Sequence, residues 1–270
     1  MELAWRTHAG KVRKQNEDSI GLVRTKSGTL VAIIADGMGG HQGGEVASRH
    51  AVQVIEREIK SLSQGAGIKE IGERMKFAIT LANQEIYHMA SQKSELRGMG
   101  TTVVSAVIGS DQIVIGHVGD SRAYLLHNNG LYQLTEDHSL VNVLRKHGQI
   151  TEKEAARHPQ RNVIARAVGS DKSVEVDQVI TPWFPNDTLL LCTDGLTDLV
   201  EERHIGTILT SDHTLEEQAD RLLAAALAAG GNDNISLILI RQTKGSRRME
   251  RPEEKRGDRT DGRKEARGTI

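Results

Sequence analysis

Apolar residues along this chain fall into two rhythms. Short runs rich in Val, Ile and Leu, bounded by turn residues, predict strands at Ser19–Arg24, Thr29–Ala35, Thr101–Ile108, Gln112–Val118, Ser121–Leu126, Leu131–Leu134, Glu175–Ile180, Thr188–Cys192 and Asn234–Arg241. Thr25-Lys26-Ser27-Gly28 and Asn128-Asn129-Gly130 read as hairpin turns between neighbouring runs. Helical spacing governs three longer segments. Glu45–Leu62 gathers Val46, Ala47, His50, Val54 and Ile55 near one face, and Ile68–Ser91 repeats Ile71, Met75, Ala78, Ile79, Ala82 and Ile86. The third, Leu215–Ala229, stops at Gly230-Gly231. The first two are joined only by Ser63–Gly67, which predicts an antiparallel helix pair. Helix pairs on sheets built from hairpins indicate an α+β layered fold, not a parallel doubly wound one.

Residues His138–Gly169 break the strand rhythm. Ser139–His147 and Thr151–His158 look like short helices, the second with Thr151 as N-cap and Glu154 three residues on. This stretch is expected to be an insertion on the rim of the main body. From Lys244 onward, charges of both signs replace apolar residues, so the tail cannot bury enough surface to offset its ordering entropy. The expected organisation is one domain over residues 1–243, with a flap insertion at about 138–169, and a disordered tail over 244–270.

With 270 residues the chain can bury a substantial core. Aromatic residues are only 3%, so that core rests on aliphatic side chains, and the stacking platforms of single-strand nucleic-acid binders are missing. A net charge of −1 gives no field directed at nucleic acid or membrane. No apolar run reaches the roughly 20 residues needed to span a bilayer, and the N-terminus lacks the basic-then-apolar order of a signal peptide. The single cysteine, Cys192, excludes an internal disulfide and sits in a strand pattern, as a buried apolar residue would. A cytoplasmic monomer without a membrane span is the expectation.

The chemistry concentrates at strand ends. Ala35-Asp36-Gly37-Met38-Gly39-Gly40-His41 follows one apolar run, and Thr193-Asp194-Gly195 follows another. Gly231-Asn232-Asp233-Asn234 precedes a third. An isolated Asp-Gly after a strand is usually only a turn. Three such acids, with Asn16-Glu17-Asp18 and Asp120 besides, can converge on a hard divalent cation through oxygen ligands. The Gly-rich segment lacks Gly-Lys-Ser/Thr and is not a P-loop.

Taken in order, Arg13–Asp18, Ala35–His41, Gly100-Thr101-Thr102, Val118-Gly119-Asp120-Ser121-Arg122, Asp137-His138-Ser139, Thr193–Leu196 and Gly231–Asn234 resemble the motifs of the PPM family, the type-2C metal-dependent protein serine/threonine phosphatases, in its bacterial branch. The resemblance covers about residues 3 to 241. It implies a four-layer αββα sandwich with two or three Mn²⁺ or Mg²⁺ at one end. It further implies that Asp36 bridges two metals, that Asp194 and Asp233 hold one of them, and that the Gly37 carbonyl helps hold the other. Asp18 lies near that second metal, with Glu17 as the competing candidate, and Asp120 with Asp194 supports a third. The implied reaction is direct attack of a metal-bridging water on a phosphoserine or phosphothreonine ester. Arg13 is the implied phosphate-binding arginine. His41 is the candidate proton donor to the leaving oxygen, a role that a water can also fill. The implied partners are phosphorylated proteins, including a serine/threonine kinase. One departure is His8, where family members commonly carry an acid. Two other readings compete: a phosphoprotein-binding module without turnover, which the complete acid set disfavours, and a phosphatase using an aspartyl-phosphate, for which the spacing around Asp36 is wrong.

Overall fold

The structure, a computed structural model, describes residues 1–243 other than His41 and Ala156. Two antiparallel sheets face each other at its centre. The first runs β1 (Glu2–His8), β11 (Ile235–Arg241), β10 (Thr188–Cys192), β7 (Arg122–His127) and β8 (Gly130–Gln133). The second runs β2 (Asp18–Arg24), β3 (Leu30–Met38), β5 (Val103–Ile108), β6 (Gln112–Val118) and β9 (Asp177–Pro182), with the short β4 (Gly100–Thr101) beside the far end of β3. Helices α1 (Gly43–Ser61) and α2 (Ile68–Gln92) cover the outer face of the second sheet. The outer face of the first is covered by α5 (Asp194–Thr197), α6 (Glu202–Leu209) and α7 (Leu215–Ala228). The fold is therefore the α+β, four-layer αββα sandwich that the sequence resemblance implied.

Why the strands read as unbroken apolar runs is now plain, because both faces of each sheet are buried. Successive strand side chains point to opposite faces. In β3, Val31, Ile33 and Ala35 pack under α1 and α2, while Leu30, Ala32 and Ile34 meet the other sheet. In β10, Leu189 and Leu191 lie between the sheets, and Leu190 and Cys192 face the outer helices. Cys192 is thus a packing residue, and burial pushes its thiol up to about 12. Three apolar layers result: one between the sheets and one under each helical layer.

Several boundaries differ from the sequence reading. The run Thr101–Ile108 is broken at Thr102, because its N–H and hydroxyl bond the backbone of Asp36. The strand expected at Glu175–Ile180 lies at Asp177–Pro182. Helix α6 was not anticipated; its Ile205, Ile208 and Leu209 stripe is only two turns long and has Gly206 within it. The insertion carries α3 (Leu140–Lys146) and α4 (Glu152–Ala155), both shorter than expected. The Thr151 cap is present, since Glu154 Oε2 accepts from the Thr151 N–H at 2.7 Å and Thr151 Oγ1 accepts from the Glu154 N–H at 3.3 Å. After α4 the chain tightens into i+3 bonds, Arg157 N to Glu154 O and His158 N to Ala155 O, rather than continuing as helix. The tail 244–270, expected to be disordered, lies outside the described residues. Among the described residues no helix is long and apolar enough to cross a membrane.

Ile34 is fully buried between the sheets. Ile34→Ala should cost about 2–5 kcal/mol. A lower urea midpoint with an unchanged m-value would show this.

Candidate metal centre

The sandwich gathers its acids at one end, and backbone pairing fixes where each one stands. Asp18 and Asp36 are direct partners in the β2–β3 register. The backbone of Asp36 is pinned from the next strand: its carbonyl accepts from Thr102 N and Thr101 Oγ1, both at 2.8 Å, and its N–H donates to Thr102 Oγ1 at 3.0 Å. Thr102 Oγ1 in turn shares a 2.7 Å hydrogen bond with Ser121 Oγ, just after Asp120. Asp120 itself sits in the turn where the chain leaves β6 in one sheet for β7 in the other. Gly119 makes that turn at φ +113°, and a Cβ there would meet Thr102 Cβ at 2.6 Å. Asp194 opens α5 directly after β10, and Asp233 precedes β11.

The glycines beside the acids serve close packing. A Cβ on Gly37 would lie 2.1 Å from the Gly44 carbonyl oxygen, so β3 and the start of α1 can cross only as glycines. A Cβ on Gly195 would lie 1.9 Å from the Asn234 carbonyl oxygen, which brings Asp194 and Asp233 side by side in the same way.

Two side chains stitch the sheets together here. Thr193 Oγ1 donates to Asp18 Oδ2 at 3.1 Å and accepts from Ser236 N at 3.0 Å. Asn234 Oδ1 accepts from Glu17 N at 2.8 Å, and its Nδ2 donates to the carbonyls of Ala9 and Gln15 at 3.0 and 2.8 Å. Asn234 therefore holds both ends of the loop that carries Arg13. In sequence this asparagine carries no mark of that task, because the four-residue run Gly231–Asn234 contains two asparagines and only contacts distinguish them. At the departure site, His8 Nδ1 accepts from Gly10 N at 2.8 Å, a bond that stays within the loop.

The electrostatics record how tightly the acids are grouped. Asp18 and Asp120 are buried, whereas Asp36, Asp194 and Asp233 are partly open to solvent. Lost hydration, then repulsion from Asp18, Asp194, Asp120 and Asp233, holds the Asp36 carboxyl well above the ordinary range. Burial first, and then Asp194 and Asp233 against opposing hydrogen bonds, raises Asp18 to about 7. Asp194 is raised to about 6 by burial, Asp198 and Asp233. Asp120 is raised by burial and then by Asp194. Between the two early acids, Asp18 belongs to this cluster. Glu17 instead lies against Gly44 at the start of α1, with Arg13 and Asp233 among its charged neighbours.

The donor set is all oxygen, as hard divalent cations require. Asp18 Oδ1 and Asp120 Oδ1 are buried without a hydrogen-bond partner, so two inward-facing carboxylate oxygens have free acceptor capacity. Among the described residues no three Asp, Glu, His or Cys side chains stand in ready-made coordinating geometry; strand register and the field each acid exerts on the others are what join them. Arg13 reaches this end from its loop, but its guanidinium donates to Asp233 Oδ2 at 2.7 Å, and half of the side chain remains exposed. His41 lies outside the described residues. Beyond Asp120 and Asp194 opens a cleft of about 650 Å³, walled by Arg122, Asp198 and the insertion's Asn142 and Arg161. Arg122 grips Asp137 at 2.6 Å and also bonds Tyr124 Oη at 3.0 Å.

Comparison with known proteins shows which family this chain resembles. The family model described as Protein phosphatase 2C matches residues 7–229. The serine/threonine phosphatase stp of Listeria monocytogenes is 43% identical over 240 residues, covering 89% of this chain and 95% of that protein. The structure of the S. agalactiae serine/threonine phosphatase superposes with a TM-score of 0.85 at 37% identity, over 89% of this chain and 99% of its own. The catalytic domain of the serine/threonine protein phosphatase PstP, in complex with two manganese ions, gives a TM-score of 0.77 at 31% identity over 90% of this chain and 98% of its own. The chain belongs to the protein phosphatase 2C family, the serine/threonine phosphoprotein hydrolases.

The raised carboxyl pKa values set a pH dependence for protein freed of divalent cations by chelator. The folded state keeps protons that the unfolded chain, with an ordinary Asp value of 3.8, has already released. The contribution of these groups is therefore intact below about pH 4 and is lost as the pH rises through about 6 for Asp194 and about 7 for Asp18. Urea midpoints of chelated protein should fall between pH 5 and pH 8. A rise over that interval would contradict the crowding of these acids.

Proposed function

We propose that this chain hydrolyses phosphoserine and phosphothreonine esters of proteins directly, with no phosphoenzyme, using two or three Mn²⁺ or Mg²⁺ held at the acidic end of the sandwich. The observation that carries this reading is the convergence of Asp18, Asp36, Asp120, Asp194 and Asp233 from separate segments of chain, with a buried, unpartnered oxygen on Asp18 and on Asp120. Asp36 would serve two ions, one held with Asp194 and Asp233, the other with the Gly37 carbonyl and nearby Asp18. Asp120 and Asp194 are assigned to a third. Bound there, such cations lower the pKa of a water and offset charge on the phosphoryl oxygens.

The remaining work falls to the protein. Thr102 fixes the backbone of Asp36, and Thr193 orients Asp18. Arg13, partly exposed beside Asp233, presents a planar fork suited to phosphate oxygens. No cysteine competes as nucleophile, because the only one is buried on the far face of β10. Protonation of the leaving serine or threonine oxygen falls to His41 or to a water. Residues 1–243 form the phosphatase domain, with the 138–169 insertion as a flap beside the cleft that receives the substrate polypeptide. Phosphorylated proteins, a serine/threonine kinase among them, are the partners of a cytoplasmic monomer.

Asp36→Asn should give chelated protein a urea midpoint at neutral pH no lower than wild type, yet reduce hydrolysis of p-nitrophenyl phosphate with Mn²⁺ by at least about a thousandfold. Near-normal turnover would remove Asp36 from the centre of the reaction. Arg13→Ala should raise KM about tenfold, with a smaller change in kcat, because it removes phosphate binding. An unchanged KM for a phosphothreonine peptide would reduce Arg13 to a partner of Asp233.

A further inference from the structure

Both roots of the 138–169 insertion abut backbone that carries proposed metal ligands. At the far root, Val168 and Thr101 exchange backbone hydrogen bonds of 2.8 and 2.9 Å, and Thr101 backs Asp36. At the near root, His138 brackets the residue before Asp120: its N–H donates to the Gly119 carbonyl at 2.8 Å, and its Nδ1 accepts from the Gly119 N–H at 3.1 Å. The second contact assigns the tautomer. A backbone N–H can only donate, so Nδ1 is unprotonated and Nε2 carries the hydrogen. That Nε2–H points at Asp177 Oδ2, 3.1 Å away at the start of β9. Arg166, from the far root, donates through Nη1 to the other oxygen of Asp177 at 2.7 Å; the same nitrogen stands 3.2 Å from His138 Nε2, so imidazole and guanidinium are parallel donors on one carboxylate. The His117 ring lies 4.6 Å from the imidazole, centroid to centroid, and restricts its tilt. His138 is 8% exposed, and each of its nitrogens is directed to a different element.

We propose that His138 is a positioning residue for the reaction, acting through the Gly119 N–H to fix the turn that presents Asp120, with Asp177 and Arg166 holding the imidazole in the tautomer this requires. The consequence for catalysis rests on the phosphatase reading above, whereas the consequence for Gly119 does not. Gly119 needs this help because its positive φ takes it out of the β ladder, so its N–H has no strand partner. Ser121 holds the other side of the same turn through Thr102. Asp120 therefore stands between a hydroxyl clamp from β5's threshold and an imidazole clamp from the insertion's root.

Two near-isosteric variants separate the imidazole's two bonds. His138→Asn places an amide oxygen where Nδ1 stands and keeps an acceptor for Gly119. His138→Gln places its amide near Nε2, keeping a donor for Asp177 but leaving Gly119 without a partner. In full-length chelated protein, amide hydrogen exchange at Gly119 should quicken about tenfold in His138→Gln and stay near wild type in His138→Asn. With Mn²⁺, kcat on p-nitrophenyl phosphate should fall about fivefold to tenfold in His138→Gln, with KM within twofold, and should be largely retained in His138→Asn. Equal losses in both variants, or unchanged Gly119 exchange in His138→Gln, would overturn the assignment and leave the ring as packing. Should the wild type show no turnover with either metal while the exchange pattern holds, the phosphatase reading fails and the Gly119 contact stands.

Discussion

Five carboxylates that repel one another are held together at one end of this molecule, and the rest of the architecture can be read as what makes that tolerable. No single element could do it. Each acid is mounted on backbone already committed to other bonds: Asp18 and Asp36 by strand pairing, Asp120 by a turn clamped from two sides, and Asp194 and Asp233 by a glycine-permitted crossing. Hydration lost on burial and repulsion from their neighbours then raise the pKa values of Asp18, Asp36, Asp120 and Asp194. Among these acids, Arg13 pairs with Asp233, at the edge of the group.

Much of the architecture was visible in the amino-acid order because both sheets are covered on both faces. Strands such as Leu189–Cys192 have no solvent side to interrupt their apolar run, and α1 and α2 bury long stripes at helical spacing. Asp36, Asp120, Asp194 and Asp233 stand out because each adjoins glycine or asparagine at the border of such a run. Less legible were features decided by contacts between distant segments. Which of Glu17 and Asp18 faces inward depends on strand phase at the first residue of β2, where the apolar alternation has barely begun. The break at Thr102 comes from hydrogen bonds to Asp36, not from any local preference of threonine. Arg13 reads as an unencumbered cation until Asp233 is brought beside it from 220 positions away.

The insertion shows the same division. Its cap at Thr151 is local and could be read directly, whereas the partnership of His138, Arg166 and Asp177 joins three places that only the folded chain makes neighbours. A histidine at the start of an irregular segment carries no mark, in sequence, of which nitrogen is protonated or what each one touches.

The acids come from both sheets: Asp18 and Asp36 from one, Asp194 and Asp233 from the ends of strands in the other. What lies between the sheets is a layer of aliphatic side chains, whose attraction is non-directional. The polar cross-links at this end, Thr193 to Asp18 and Asn234 to Glu17, are what oppose a sideways slip. The site consequently behaves as a gauge of interlayer alignment. A displacement too small to expose hydrophobic surface, and so silent to most probes of unfolding, would already separate one half of the acid set from the other.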